Sequence, residues 1–268
     1  MHMAYPVRLR SFILHALCAL ACGSTLAGPV VDRIKAAATL RVCAWPAYFG
    51  ITYRDPTNQK FTGLDVDMAQ ALSHDLGVRL QWVDSSFSTL IEDLVTDRCD
   101  VAMFGVAALP ERMARLRFTQ PYLKSDIYGI TLKTSHVIRG WEDIDKPGIR
   151  VAVQAGTSMA LVMKEALMQA RLVLVPTGQT REAELEAGRA DVFMTDYPYS
   201  RRVLTQSDAF KLIRPTRVFF ELPYAYAVKP GDEEWLARMD TFVSQIKRDG
   251  RLATAGAVHG LTDIVVGK

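Results

Sequence analysis

The sequence predicts an α/β fold of two lobes, each a doubly wound, mostly parallel sheet, joined by a hinge. Three observations carry this. Strand-like apolar runs alternate with helical periodicity as β-α-β-α-β from Leu40 to Val106, and again from Ile149 to Asp196. Both alternations close on an acid-led apolar strand, "CDVAMF" in the first half and "ADVFMTD" in the second. No Gly/Ser/Pro-rich linker separates the halves; "PYLKSDIYGITLKTS" suits short extended crossings instead.

In order, "VVDRIKAAATL" reads as a short helix and "LRVCAW", from Leu40, as a buried strand. In "FTGLDVDMAQALSHDLGV", Leu64, Met68, Ala71, Leu72 and Leu76 recur with helical period, and Gly77 supplies the stop. "RLQWVD", "FSTLIEDLVTDR" and "CDVAMFGV" follow as strand, helix and strand. The second half repeats the plan in "IRVAVQAG", "SMALVMKEALMQA", "RLVLVP", "TREAELEAGR" and "ADVFMTD". The closing helix, "EEWLARMDTFVSQIKRDGRL", aligns Trp235, Met239, Phe242 and Ile246 on one face and should pack back on the first lobe. The expected boundaries are 28–125 with 222–268 for the first lobe and 126–221 for the second.

Residues 1–27 read as a cleaved secretory signal: Arg8 and Arg10, a short apolar run, then Thr25-Leu26-Ala27 as a small-x-small cleavage site. A lipid anchor at Cys22 is disfavoured by Ala19, where such signals carry Leu. Loss of this segment lowers the formal charge from +3 to +1, with 49% hydrophobic and 23% charged residues in the whole chain. Basic and acidic residues interleave, so no nucleic-acid footprint is expected. The expected mature protein is a periplasmic monomer.

Cys43 and Cys99 remain after cleavage. An oxidising compartment invites a disulfide. Parallel neighbouring strands would, however, offset them by about three residues, roughly 10 Å. Two buried thiols are therefore expected.

No nucleophile elbow, phosphate loop, dinucleotide fingerprint or metal-ligand spacing occurs, so no cofactor, metal or catalytic residue is expected. His74, His136 and His259 read as surface histidines. The informative positions are strand ends, where open α/β sheets bind ligands. Trp45 and Tyr48 follow the first strand, and the third leads to Arg112, with Phe87 and Phe104 expected to complete an aromatic wall with Trp45 and Tyr48. In the second half, Gln154, Thr157 and Ser158 lead into a helix, and Asp196 ends the last strand. Singly, each has a plain structural reading: core-capping aromatics, a surface arginine, helix N-caps. Together they offer a guanidinium and a helix N-terminus for a carboxylate, an acid for an ammonium, and an aromatic wall. That set describes a site for a free α-amino acid.

These stretches, "FTGLDVDMAQAL", "CDVAMFGVAALPERMARLRFTQPY", "VAVQAGTS" and "ADVFMTDYPYS", resemble the periplasmic amino-acid-binding proteins of ABC importers, the polar-amino-acid solute-binding family. The resemblance spans nearly all the mature chain and implies a two-lobed periplasmic-binding-protein fold that closes on its ligand and docks on a membrane permease. It implies that Arg112 grips the ligand α-carboxylate and that Thr157 or Ser158 adds hydroxyl and amide donors. Asp196 would bind the ammonium and Tyr48 would stack on the ligand. Phe104 and Gly105 would occupy first-lobe cleft positions, and Gln154 the second-lobe rim. Two departures stand out. Ala107 replaces a ligand-binding Ser or Thr, and Trp45 stands where binders of cationic amino acids often carry an acid. Glu92 and Asp93, mid-helix, read as solvated and do not replace that acid. A neutral or aromatic ligand is therefore favoured.

An enzyme reading competes. The cyclohexadienyl dehydratases resemble this chain in "GLDVDMAQ", and their pattern implies a general-acid Glu where this chain has Met159; Glu165 lies nearly two helical turns further on. An organic-acid binder or a sensor accessory protein would use the same cleft.

Overall fold

A computed structural model describes residues 28–267, together with Met1 and His2. The expected signal segment, with Cys18 and Cys22, lies outside the described residues.

Two five-stranded sheets form the two lobes. The first is ordered Arg79–Asp84, Thr39–Ala44, Val101–Ala102, Ala227–Val228, Arg117–Phe118. Its first three strands are parallel, and the return strand Ala227–Val228 is antiparallel to both neighbours. The second is ordered Arg171–Val175, Arg150–Gln154, Val192–Thr195, Tyr128–Leu132, Phe210–Ile213, again with three parallel strands followed by antiparallel ones. In each lobe the first strand of the alternation is flanked by the second and third, which creates a switch point at the strand ends. The crossings Leu123–Ser125 and Leu222–Tyr224 pair with each other as an antiparallel ribbon.

The acid-led strands noted in the sequence have one structural cause. Asp100 accepts from the backbone N–H of Arg41 at 2.8 Å and from its guanidinium at 2.7 Å, while donating its own N–H to the Arg41 carbonyl. Asp191 and Arg150 repeat the arrangement, with 2.8 Å and 2.7 Å contacts. Each lobe thus staples its third strand to its first at their N-terminal ends by charge-assisted hydrogen bonds.

The helix Leu64–Leu76 buries Leu64, Met68 and Leu72 and ends at Gly77 in the left-handed conformation. The helix Glu233–Arg248 begins at Asp232, which accepts from Trp235 N–H at 2.9 Å. It buries Trp235, Met239, Phe242 and Ile246, and the Trp235 indole donates to the Asp100 carbonyl at 2.8 Å. The C-terminal helix therefore packs back on the first sheet.

Three expectations are corrected. The strand in "CDVAMFGV" is regular only at Val101–Ala102. Beyond it the chain stays buried but changes partner, with Ala107 bridging Tyr224 and Val106 accepting from Ala225. Asp93 is buried, accepting from Ser85 and Thr89 and paired with Arg98, whereas Glu92 is exposed. Cys43 and Cys99 are joined in a disulfide across a Cα–Cα distance of 5.6 Å. The three-residue offset was correct, since Cys43 pairs with Ala102. Cys99, however, precedes the strand in a turn that includes the left-handed Asp97, and the bend brings it beside Cys43.

Candidate functional site

The strand ends of the two lobes face each other and are closed. Tyr48 is carried by a small antiparallel sheet of Ala47–Tyr48, Thr52–Arg54 and Phe61–Thr62. Its ring lies 5.5 Å from Trp45 and 5.9 Å from Phe87, centroid to centroid, and Phe87 lies 5.1 Å from Phe104. These four rings form the first-lobe wall, with Phe104 wholly buried behind Phe87. Gly105 sits under Tyr48 at φ +61°, where a Cβ would come within 2.8 Å of the tyrosine ring. Its N–H donates to Asp65 at 2.9 Å.

Asp65 ties the floor of the cleft to the crossings. Its carboxylate also accepts from Tyr122 at 2.6 Å and Tyr226 at 3.2 Å. Burial pushes its pKa up to about 7, against those three hydrogen bonds, which favour the ionised form.

Arg112 lies on the short helix Pro110–Met113 and is 3% exposed. Its guanidinium donates to the Ala107 carbonyl at 3.0 Å, to Ser158 Oγ at 3.3 Å and to the Gly156 carbonyl at 3.0 Å. Burial lowers its pKa to about 10, so it remains a cation at neutral pH. Among the described residues it forms no ion pair. Gly156 approaches the other lobe so closely that a Cβ would meet Ser88 N at 2.7 Å.

The helix Ser158–Ala166 opens on Thr157, whose hydroxyl donates back to the Gln154 carbonyl at 2.7 Å instead of capping the helix. The helix Tyr197–Gln206 opens on Asp196, which accepts from Tyr199 N–H at 3.2 Å. The other oxygen of Asp196 accepts from the Tyr48 hydroxyl and, at 2.6 Å, from the Tyr224 hydroxyl. Burial, then the neighbouring Asp196 charge, drives both phenol pKa values well above the ordinary range, so both act as donors.

Trp45, Tyr48, Phe87, Gly105, Thr157, Ser158 and Asp196 line one cavity of about 10 Å³, joined by Met159, Arg181, Tyr199 and Tyr224. That is about the space one water needs. Arg112 borders it through Ser158. Gln154 faces a neighbouring cavity of about 170 Å³ shared with Trp45 and Phe87, and its amide donates to the Val175 and Pro176 carbonyls at 2.9 Å. Tyr48 differs most from expectation: besides presenting its ring, it reaches across the lobes to Asp196. Sequence reasoning missed Arg181, Tyr199 and Tyr224. Arg181 opens a helix in a charged run, "TREAELEAGR", and looks like a solvated residue; Tyr224 lies on a crossing strand rather than at a sheet's end.

Among the described residues no helix is long and apolar enough to cross a membrane. Residues 40–257 match the model of the bacterial extracellular solute-binding proteins, family 3. The chain is 30% identical over 246 residues to cyclohexadienyl dehydratase of Pseudomonas aeruginosa, covering 89% of this chain and 91% of that one. It is 23% identical over 242 residues to a putative ABC transporter arginine-binding protein of Escherichia coli, covering 89% and 95%. Among solved structures, an ancestral amino-acid-binding protein, a precursor of cyclohexadienyl dehydratase, matches with a TM-score of 0.77 at 29% identity, over 87% of this chain and 99% of that one. A mutant of ArgBP from T. maritima matches with a TM-score of 0.76 at 27% identity, over 86% and 99%. With both sheets, the paired crossings and the facing strand ends accounted for, this chain belongs to the bacterial extracellular solute-binding proteins of family 3.

Proposed function

We propose that this protein captures a small α-amino acid between its lobes and delivers it to an ABC permease, acting in the periplasm as a monomer after its signal segment is removed. The observation that carries the reading is Arg112: a buried, charged guanidinium whose protein acceptors are neutral oxygens. Burying such a charge is costly unless an anion reaches it. Arg112 takes the ligand α-carboxylate, with Ser158 and the N–H groups at the start of its helix alongside. Asp196 takes the ammonium, which competes with the Tyr48 and Tyr224 hydroxyls. Trp45, Tyr48 and Phe87 contact the ligand's side chain, with Phe104 backing Phe87, Gly105 leaving room beneath Tyr48 and Gln154 at the rim. An aromatic wall without an acid disfavours lysine or arginine and suits a neutral or aromatic side chain. Because the closed cavity admits about one water, ligand entry needs the lobes to part at the crossings.

The dehydratase reading has the Pseudomonas relative in its favour. Against it, Met159 lines the cavity where that resemblance implies a proton donor, and Glu165 faces a different groove with Leu109 and Phe219. A general acid must reach the atom it protonates. The binding reading is therefore preferred.

The test is a thermal-shift panel on protein unfolded and refolded to strip ligand, with the amino acids, prephenate, arogenate and simple carboxylates. A shift with one α-amino acid, abolished in Asp196→Ala, supports the proposal. A shift only with prephenate or with ammonium-free acids overturns it.

A further inference from the structure

Arg181 is the second guanidinium of the cleft. It is 2% exposed and lines the same cavity as Asp196, Thr157 and Ser158. Among the described residues it makes no ion pair, and its one hydrogen bond runs from Nη1 to the Met194 carbonyl at 2.9 Å. Its Nε is buried with no partner. The guanidinium lies 3.9 Å from the Tyr199 ring centroid and 5.2 Å from that of Phe193. Tyr199 is itself fixed, its N–H on Asp196 and its hydroxyl on Glu182 at 3.1 Å. The ring stack holds the guanidinium in place and offsets part of its charge; it leaves the Nε donor unmet.

The acids in the first turn of its own helix and the acid of the cavity are committed elsewhere. Glu184 pairs with Arg189, and Glu182 accepts from Tyr199. Asp196 accepts from two phenols and a backbone N–H and forms no ion pair with Arg181, although both line the cavity. Two buried guanidiniums and one carboxylate therefore converge on the cleft. A neutral zwitterionic amino acid matches Arg112 and Asp196 and leaves Arg181 uncompensated. A ligand carrying a second carboxylate matches all three.

We infer that Arg181 is a specificity-determining residue that binds a second carboxylate, so that the preferred ligand is an α-amino dicarboxylic acid. This rests on the amino-acid reading above and moves the expected side chain from neutral or aromatic to acidic. The forked guanidinium is suited to a carboxylate, and the Tyr199 stack keeps it aimed.

The test is calorimetric titration of the refolded, ligand-stripped protein with L-glutamate, L-aspartate, their amides L-glutamine and L-asparagine, and the amine-free succinate and glutarate. In the wild type one acidic amino acid should bind at least about 30-fold more tightly than its amide, the scale of leaving a buried charge unpaired. Arg181→Met should bring that ratio close to one, chiefly by weakening the acidic amino acid, and Arg181→Lys should fall between. The wild-type ratio stands without any variant, so a misfolded Arg181→Met does not remove the test. Equal or tighter binding of a neutral amino acid by the wild type overturns the role of Arg181 and leaves the amino-acid reading intact. Tight binding of succinate or glutarate alone overturns the amino-acid reading, and its loss in Arg181→Met keeps Arg181 as the group that binds the second carboxylate. No binding by any of the six overturns the second-carboxylate role of Arg181 and leaves the amino-acid reading to the thermal-shift panel.

Discussion

Tyr48, carried by one lobe, donates its hydroxyl to Asp196 of the other, and Tyr224 places a second hydroxyl 2.6 Å from the same oxygen. The carboxylate assigned to the ligand's ammonium therefore also latches the closed cleft. Tyr48→Phe removes one of three donors to that buried carboxylate, a contact to a charged group worth about 1.5–3 kcal/mol. The ligand-free protein should then populate a more open form, with a larger radius of gyration in solution scattering. Unchanged scattering in Tyr48→Phe, and in Tyr224→Phe, would rule out the latch.

Arg112 separates function from stability. A structural arginine with three hydrogen bonds should destabilise when removed; one that waits for an anion should not. Arg112→Met is expected to change ligand-free stability by no more than about 1 kcal/mol. Ligand binding should weaken by about 2–5 kcal/mol. Denaturant unfolding and titration of the same preparation check both. Affinity within a few-fold of wild type sinks the carboxylate assignment.

Asp65 sets a pH dependence. Its folded pKa of about 7 lies above the ordinary value of 3.8, so between these limits the native state holds more protons than the unfolded chain. Its contribution is fully present below about pH 4 and is lost as pH rises through 7, on the order of a few kcal/mol. Melting temperature should therefore fall between pH 5 and 8 in the wild type, and less steeply in Asp65→Asn. Parallel profiles for the two proteins contradict this.

The Cys43–Cys99 bridge closes a loop with a sequence separation of 56. Chain entropy puts its worth at about 4 kcal/mol, within the usual range of about 2–4 kcal/mol for such bridges. Reductant, or the double Ser variant, should lower the melting temperature accordingly. A melt insensitive to both would mean the bridge adds nothing.

Met159→Glu places a carboxyl on the first turn of the helix that lines the cavity. Positioning governs a general acid as much as its identity. The variant should form no detectable phenylpyruvate from prephenate, and turnover by this single substitution would revive the dehydratase reading.

The sequence by itself determined the two-lobed α/β plan, because hydrophobic period and acid-led strands are local signals repeated in each half. Asp100 and Asp191 are legible as a repeat from their place at the head of each third strand, although their arginine partners lie on the first. The strand ends named most of the cleft for the same reason: Trp45, Tyr48, Thr157, Ser158 and Asp196 follow directly from where strands stop. Tertiary structure decided the rest. Cys99 reaches Cys43 only because the chain bends before its strand, and backbone bends are not written in hydrophobic period. Arg181 reads as a surface charge on a polar helix. Only the packing of Phe193 and Tyr199 around it, and the absence of an ion pair to it among the described residues, turn it into a buried cation facing the cavity between the lobes. Tyr224 enters from a crossing strand distant in sequence from every sheet end. Contacts between distant segments depend on the relative placement of whole elements, which no local pattern encodes.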